Sequence, residues 1–380
     1  MMTVSLLHKT FAVFHIIILP FILGALFPFS YFTNTSAINK TITQDHFYAN
    51  RANDFALVEI KKIEFGDWNI VTAVKWSSHG DYLAIAAGNQ IFIYESKNWD
   101  QIAMIRLKGL SRCLAFSPHD DWIVVGSNDG FIRIWKLEEI LSSDHDEYAP
   151  FFEIEAHENG VNNIHFNRVG NWFASGGNDA MVRIWKIPSM EISNEIIGGT
   201  YAVPSLAIFP SDQVIAIVNG NFIRIRDVET SSISGTFKSV SAFFSVAISP
   251  DGDILAAGDQ ENLIRLWDPN ESFRTGKESY PEGISLFGHS GKKSTYQGLI
   301  WQISFRSDNK LLASAGGDGT IRLWNTIDGS LLSTQNAHIS GTTSIEFHPE
   351  ENIIASGGLD GCVKLWLFER SMTLTDQLMQ

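Results

Sequence analysis

The chain has 380 residues, 44% of them apolar and 18% charged, which suffices for a large packed core and excludes a disordered polyelectrolyte. Its formal net charge of −14 repels phosphate backbones and anionic lipid headgroups, so no nucleic-acid partner is expected. Two cysteines, Cys113 and Cys362, without a CxxC pair or Cys/His cluster, exclude a disulfide framework and give no reason to expect a structural metal.

Residues Phe11–Phe29 carry no formal charge, follow His8 and Lys9, and lead to small residues at Thr35 and Ala37. Residues 1–37 therefore read as a secretory signal peptide or an uncleaved membrane anchor. Pro20 and Pro28 interrupt a continuous helix, and both versions stay open. The first charge after the run is Lys40, so the slight positive bias lies on the N-terminal side. It favours an exported remainder, periplasmic or extracellular, or one tethered to a membrane through residues 11–29, over a cytoplasmic one. Residues 38–55 are polar and aperiodic, as a linker is.

From residue 56 onward one short run recurs. It ends at Tyr94, Trp135, Trp185, Arg226, Trp267, Trp324 and Trp366, with a base period of about 41 residues. A second landmark, an apolar strand ending at Trp76, Phe116, Phe166, Ile208, Ile248, Phe305 or Phe347, precedes each endpoint by 18 or 19 residues. Within the third unit, Val161–Phe166, Trp172–Gly177, Met181–Trp185 and Glu191–Ile197 read as strands a to d, separated by turn residues. Seven units of four short strands predict an all-β, seven-bladed propeller of antiparallel blades.

The repeats resemble those of the WD-repeat propeller family over residues 56–370. Gly288-His289, Ala156-His157 and Ala337-His338 stand at the family's Gly-His position, and Trp267-Asp268 is its intact dipeptide. At Lys136, Lys186, Asn325 and Leu367 the second residue of that dipeptide departs from the pattern. The resemblance implies that strand Ala56–Phe65, which has no unit of its own, completes the last blade; Met372–Gln377, in the tail 371–380, is the alternative. Cys113 and Cys362 then lie on blades two and seven with blade one between them, too far apart to bond. The resemblance also implies a structural tetrad that ties each blade together. His157, Ser175, Asp179 and Trp185 form it in one blade, and His338, Ser356, Asp360 and Trp366 in another. Blade six supplies Ser314, Asp318 and Trp324, but seven inserted residues separate them from His289, and Tyr296 falls where the histidine belongs. Blades one, two, four and five lack a full set and are expected to carry weaker polar ties.

Histidine, serine and aspartate together invite a hydrolase reading, but repetition argues against it, since an active site needs one copy. No phosphate loop, HExxH or nucleophile elbow is present, so neither catalytic residues nor a cofactor is expected. Recognition belongs to loops on a rigid scaffold. The d–a and b–c loops share one rim, the top, which is where family members bind. Candidate contacts there are Trp68, Asn128, Asn178, Phe243, Phe244, Trp301 and Leu359, with Lys292, Lys293 and Tyr296 on the long loop His289–Gly298. Two further additions, Glu138–Pro150 and Asn270–Gly283, lengthen c–d loops on the bottom. The expected function is a scaffold that binds a protein or peptide on its top face. An extracytoplasmic propeller with a small-ligand or catalytic channel, and an intracellular membrane-anchored scaffold, are the alternatives.

Overall fold

Short β-branched and apolar runs punctuated by Gly, Asp and Asn fold into four antiparallel strands per repeat, and seven such sheets form the molecule. The computed structural model describes residues 55–66, 69–142, 148–270, 283–292 and 295–370. The leader 1–37, the linker up to residue 54, the tail 371–380, Trp68 and Lys293 lie outside the described residues, as does much of both bottom insertions. Among the described residues no helix is long and apolar enough to cross a membrane. The short helix α1 (Leu137–Ser142) opens the acidic insertion after blade two and buries Leu137 and Ile140.

The innermost strands of successive blades pack side by side around a ring that closes between blades seven and one. The N-terminal strand Phe55–Glu64 pairs antiparallel with the last strand, Cys362–Arg370, from Phe55 opposite Arg370 to Glu64 opposite Cys362. It is the fourth strand of blade seven, so the first and last described strands are joined by hydrogen bonds and the edge of Cys362–Arg370 is covered. Strand b of every blade is sandwiched between two neighbours. It is buried throughout in Leu311–Gly316 and Ile353–Gly358, where two large residues, Leu or Ile, are followed by small Ala, Ser and Gly. The core consequently lies in layers between blades. One layer joins Ala84, Ile91 and Ile93 of blade one to Leu114, Phe116 and Ile123 of blade two, and another joins blades five and six around Ile264, Ile300 and Trp324.

Strand a carries a β-bulge at its start in six blades, which leaves Thr72, Arg112, Asn162, Phe244, Trp301 and Thr343 out of the pairing register. A bulged residue is re-aimed from the sheet, and all six line the central channel. Blade four differs because Pro204 has no N–H to donate, and its strand a shortens to Leu206–Ile208. Cys113 and Cys362 are free and buried. Burial pushes the Cys113 thiol up to about 12, which keeps it protonated and unreactive.

Candidate functional site

Three blades carry a hydrogen-bonded His–Ser–Asp–Trp set. In blade three, Trp185 Nε1 donates to Ser175 Oγ at 2.9 Å, Ser175 lies 2.7 Å from His157 Nε2, and His157 Nδ1 lies 2.8 Å from Asp179. Blade seven repeats this with Trp366, Ser356, His338 and Asp360, each step at 2.9 Å. The indole can only donate and the carboxylate only accept, so the serine hydroxyl donates to Nε2 and Nδ1–H donates to the aspartate. Each serine is fully buried and its oxygen already receives an indole N–H, so none can attack a substrate. The sets hold turn to strand; they are not active sites.

In blade six it is His289, not Tyr296, that completes the set. His289 Nε2 is 2.7 Å from Ser314, Nδ1 is 3.0 Å from Asp318, and Trp324 donates to Ser314 at 2.9 Å. The inserted residues loop out after the histidine and return through a 3-10 turn at Tyr296–Gly298. Burial lowers the pKa of His289 and keeps it neutral. Burial alone would raise Asp179, but hydrogen bonds from His157 and Arg183 outweigh it and hold the carboxyl at about 2.

One feature of the sets is legible in sequence only once the geometry is known. Gly177, Gly316 and Gly358 sit where a Cβ would come within 2.2–2.3 Å of the histidine ring. Of the blades without the histidine, blade one has Ala87 at that place, and blades two, four and five have a polar residue there, Ser127, Asn219 and Asp259. Arg133, 3% exposed, bonds to Ser127, Asp129 and Glu153 in blade two. In blade four Asn219 accepts from the N–H groups of Thr200 and Tyr201. In blade five Asp259 accepts from Glu261 and Leu263, and burial raises its pKa. Blades two and four thus replace the polar tie in another form, whereas in blade five Asp259 bonds only within its own turn and its buried Oδ2 accepts no hydrogen bond from the described residues.

The top-face residues divide into rim and interior. Phe243 is 1% exposed and packs on Trp267 with ring centroids 5.9 Å apart, so it is core and offers no surface to a partner. Leu359, 3% exposed, is likewise buried, at the channel wall against Gly341. Asn128 accepts from the Leu110 N–H at 2.7 Å, and Asn178 accepts from Asn162 at 2.8 Å; both stiffen loops. Phe244 and Trp301 meet edge to face, with centroids 5.1 Å apart. Together with Tyr296, Leu299 and Ala202 they form a small apolar cluster. Lys292 is exposed on the inserted loop.

At the mouth of the channel the bulged second residue of strand a in six blades, and Pro204 just before the shortened strand of blade four, face inward. Pro204, Phe244 and Trp301, from blades four to six, make one wall; Thr343, Thr72, Arg112 and Asn162, from blades seven to three, make the other. Sequence reading singled out the aromatic members but missed Arg112 and Asn162. The only signal was their place, one residue into strand a, which matters because the bulge turns that position inward. The channel encloses about 840 Å³.

Comparison with known proteins follows this geometry. The model of the WD domain, G-beta repeat, matches residues 108–136, 149–186, 230–268, 284–325 and 329–366. The two units left unmatched are the first and fourth, whose third strands end in Tyr94 and Arg226 instead of tryptophan. The chain is 23% identical over 237 residues to the human serine-threonine kinase receptor-associated protein (Homo sapiens), covering 62% of this chain and 61% of that protein's length. It is 28% identical over 195 residues to the anaphase-promoting complex subunit cdc20 of Dictyostelium discoideum, covering 50% of this chain and 36% of that one. A shorter stretch of 79 residues, 20% of this chain and 12% of the other, is 35% identical to the SAGA complex/transcription factor TFIID complex subunit Taf5 of Schizosaccharomyces pombe. With seven four-stranded blades, a repeat model in register and these relatives, the chain belongs to the WD-repeat β-propeller family.

Proposed function

We propose that this propeller is a non-catalytic platform that takes a protein or peptide partner on its top face. The observation that carries the reading is the two-sided channel mouth: an aromatic wall from blades five and six opposite a polar wall from blades seven to three, both on a rigid ring. Aromatic side chains that line a cavity beside polar groups are what interface hot spots are made of. Two of the relatives are named as subunits of complexes, which agrees with such a role. The test is site-specific photo-crosslinking from the top-rim positions Leu110 and Ile339 and the bottom positions Val169 and Ile327, all well exposed. The same protein should be captured from both top positions and from neither bottom one, and Trp301→Ala should reduce its capture. Capture from the bottom alone would overturn the reading.

We further propose that the propeller is exported, either free after cleavage or tethered through residues 11–29. The charge-free run supports this. Phe55 pairs with Arg370, at the bottom end of blade seven, so a tether leaves from the face opposite the channel mouth. A partner then has unobstructed access to the top.

A further inference from the structure

Lower in the channel Lys75 and Asp212 are matched within the chain, and the Arg168 side chain is exposed to solvent. Lys75 pairs with Glu346 across the junction of blades one and seven. Asp212 accepts from Asn167 at 2.9 Å and from the Arg168 N–H at 2.8 Å. Away from the channel, on the third strands of their blades, Arg133, Arg183, Arg265 and Arg322 each lie within 4.0 Å of an aspartate in their own blade.

Arg112, at the top of the channel, differs from all of these. No carboxylate among the described residues forms an ion pair with it, and its one hydrogen bond within the chain is to Asn162 Oδ1, at 2.5 Å. A guanidinium has five N–H donors. The others are neither bonded nor sealed from solvent, so they open on the channel. Burial lowers the pKa of the group, and a desolvated cation without a counterion costs stability. The side chain is nonetheless held in place. Asn162 donates onward to Asn178 at 2.8 Å and to the Val203 carbonyl at 3.2 Å, and Asn178 donates to the Asn159 carbonyl. The guanidinium tip lies beside Gly160, where an added Cβ would come within 3.2 Å of it. Asn178, a candidate contact from sequence, is thus a positioning residue for Arg112. Opposite stand Phe244 and Trp301.

We propose that the channel mouth is a carboxylate receptor, in which Arg112 takes the acid and the Phe244–Trp301 wall takes the apolar group beside it. Resting on the platform reading, the acid is one borne by the protein partner; a free aromatic acid has the same chemistry. A fork of donors beside an aromatic face suits a planar anion on an apolar body, and charge-assisted hydrogen bonds give it preference over its neutral amide.

The experiment uses phenylacetate and its neutral isostere phenylacetamide, titrated by calorimetry against the full-length protein. Phenylacetate should bind at least about tenfold more tightly, and Arg112→Gln should abolish the difference. Arg112→Gln should also melt no lower than the wild type, since it removes an uncompensated charge. Arg112→Lys, which keeps the charge and loses the fork, should fold and retain part of the preference. Equal binding of the two probes by the wild type overturns the proposal, as does a carboxylate preference that survives in Arg112→Gln. Photo-crosslinking from Leu110 separates the two sources of acid. A protein crosslink that phenylacetate competes away assigns the acid to the partner. Carboxylate preference with no protein crosslink supports the receptor and removes the platform reading. A crosslink insensitive to both phenylacetate and Arg112→Gln keeps the platform and removes the receptor.

Discussion

Trp185 and Trp366 are each 2% exposed and each donates to a serine that would otherwise be buried with a free lone pair. Replacing either by alanine removes a large packed ring and a polar partner together. Trp185→Ala and Trp366→Ala should each cost about 3–5 kcal/mol in denaturant unfolding. Partner binding lost without any loss of stability would contradict their structural role. The same sets make the fold acid-sensitive. The Asp179 carboxyl is held at about 2, below its ordinary 3.8, so its ionised form stabilises the folded state. That contribution is present above about pH 4 and disappears as the pH falls through about 2. Urea melts at pH 5, 3 and 2 should show a steeper loss for the wild type than for Asp179→Asn, which has no carboxyl to protonate. Parallel losses would mean that the acid lability lies elsewhere.

At the scale of elements, closure depends on one strand. Deleting residues 56–65 removes the partner of Cys362–Arg370 and exposes the edge of blade seven. The deleted protein should unfold or aggregate, seen in its melting curve and light scattering; an unchanged melt would contradict the closure. The inserted loop of blade six is pinned just as tightly. A Cβ at Gly291 would come within 1.4 Å of the Gln297 carbonyl oxygen, which is backbone and cannot give way. Gly291→Ala should therefore displace the loop and Tyr296 with it. Hydrogen exchange should quicken at Gly298 and Leu299, whose amides bond back to Thr295 and Tyr296. Unchanged protection there would show that the loop is held by something other than this close approach.

For the molecule as a whole the question is which compartment the top face meets. A compartment reporter fused to Gln380, with an intact mass on the purified protein, addresses it. An exported reporter with a mass lacking about the first 37 residues fits a cleaved signal. An exported reporter at full-length mass fits a tether, and cysteine labelling in intact cells should then reach Leu110→Cys on the top more readily than Ile327→Cys on the bottom. A cytosolic reporter would remove the export proposal and leave the fold as it stands.

Blade number and strand order were legible in the sequence, because each repeat places its turns and its strand-ending aromatic at a nearly constant spacing, whereas the N-terminal closure was implied by the family resemblance and is borne out by the pairing of the first and last strands. Local periodicity needs no partner to be read. The tetrad members of blades three and seven were legible for the same reason, since repetition exposes their common offset. What tertiary structure decided is of another kind. Seven inserted residues moved His289 out of sequence register yet left it beside Ser314, because a loop can bulge outward while its ends stay fixed. Phe243 and Phe244 are neighbours in sequence, but the bulge sends one into the core and the other to the channel. Arg112 carries no local mark at all. Its isolation from every described carboxylate comes from which seven side chains the closed ring brings to one mouth, and spacing along the chain does not encode that.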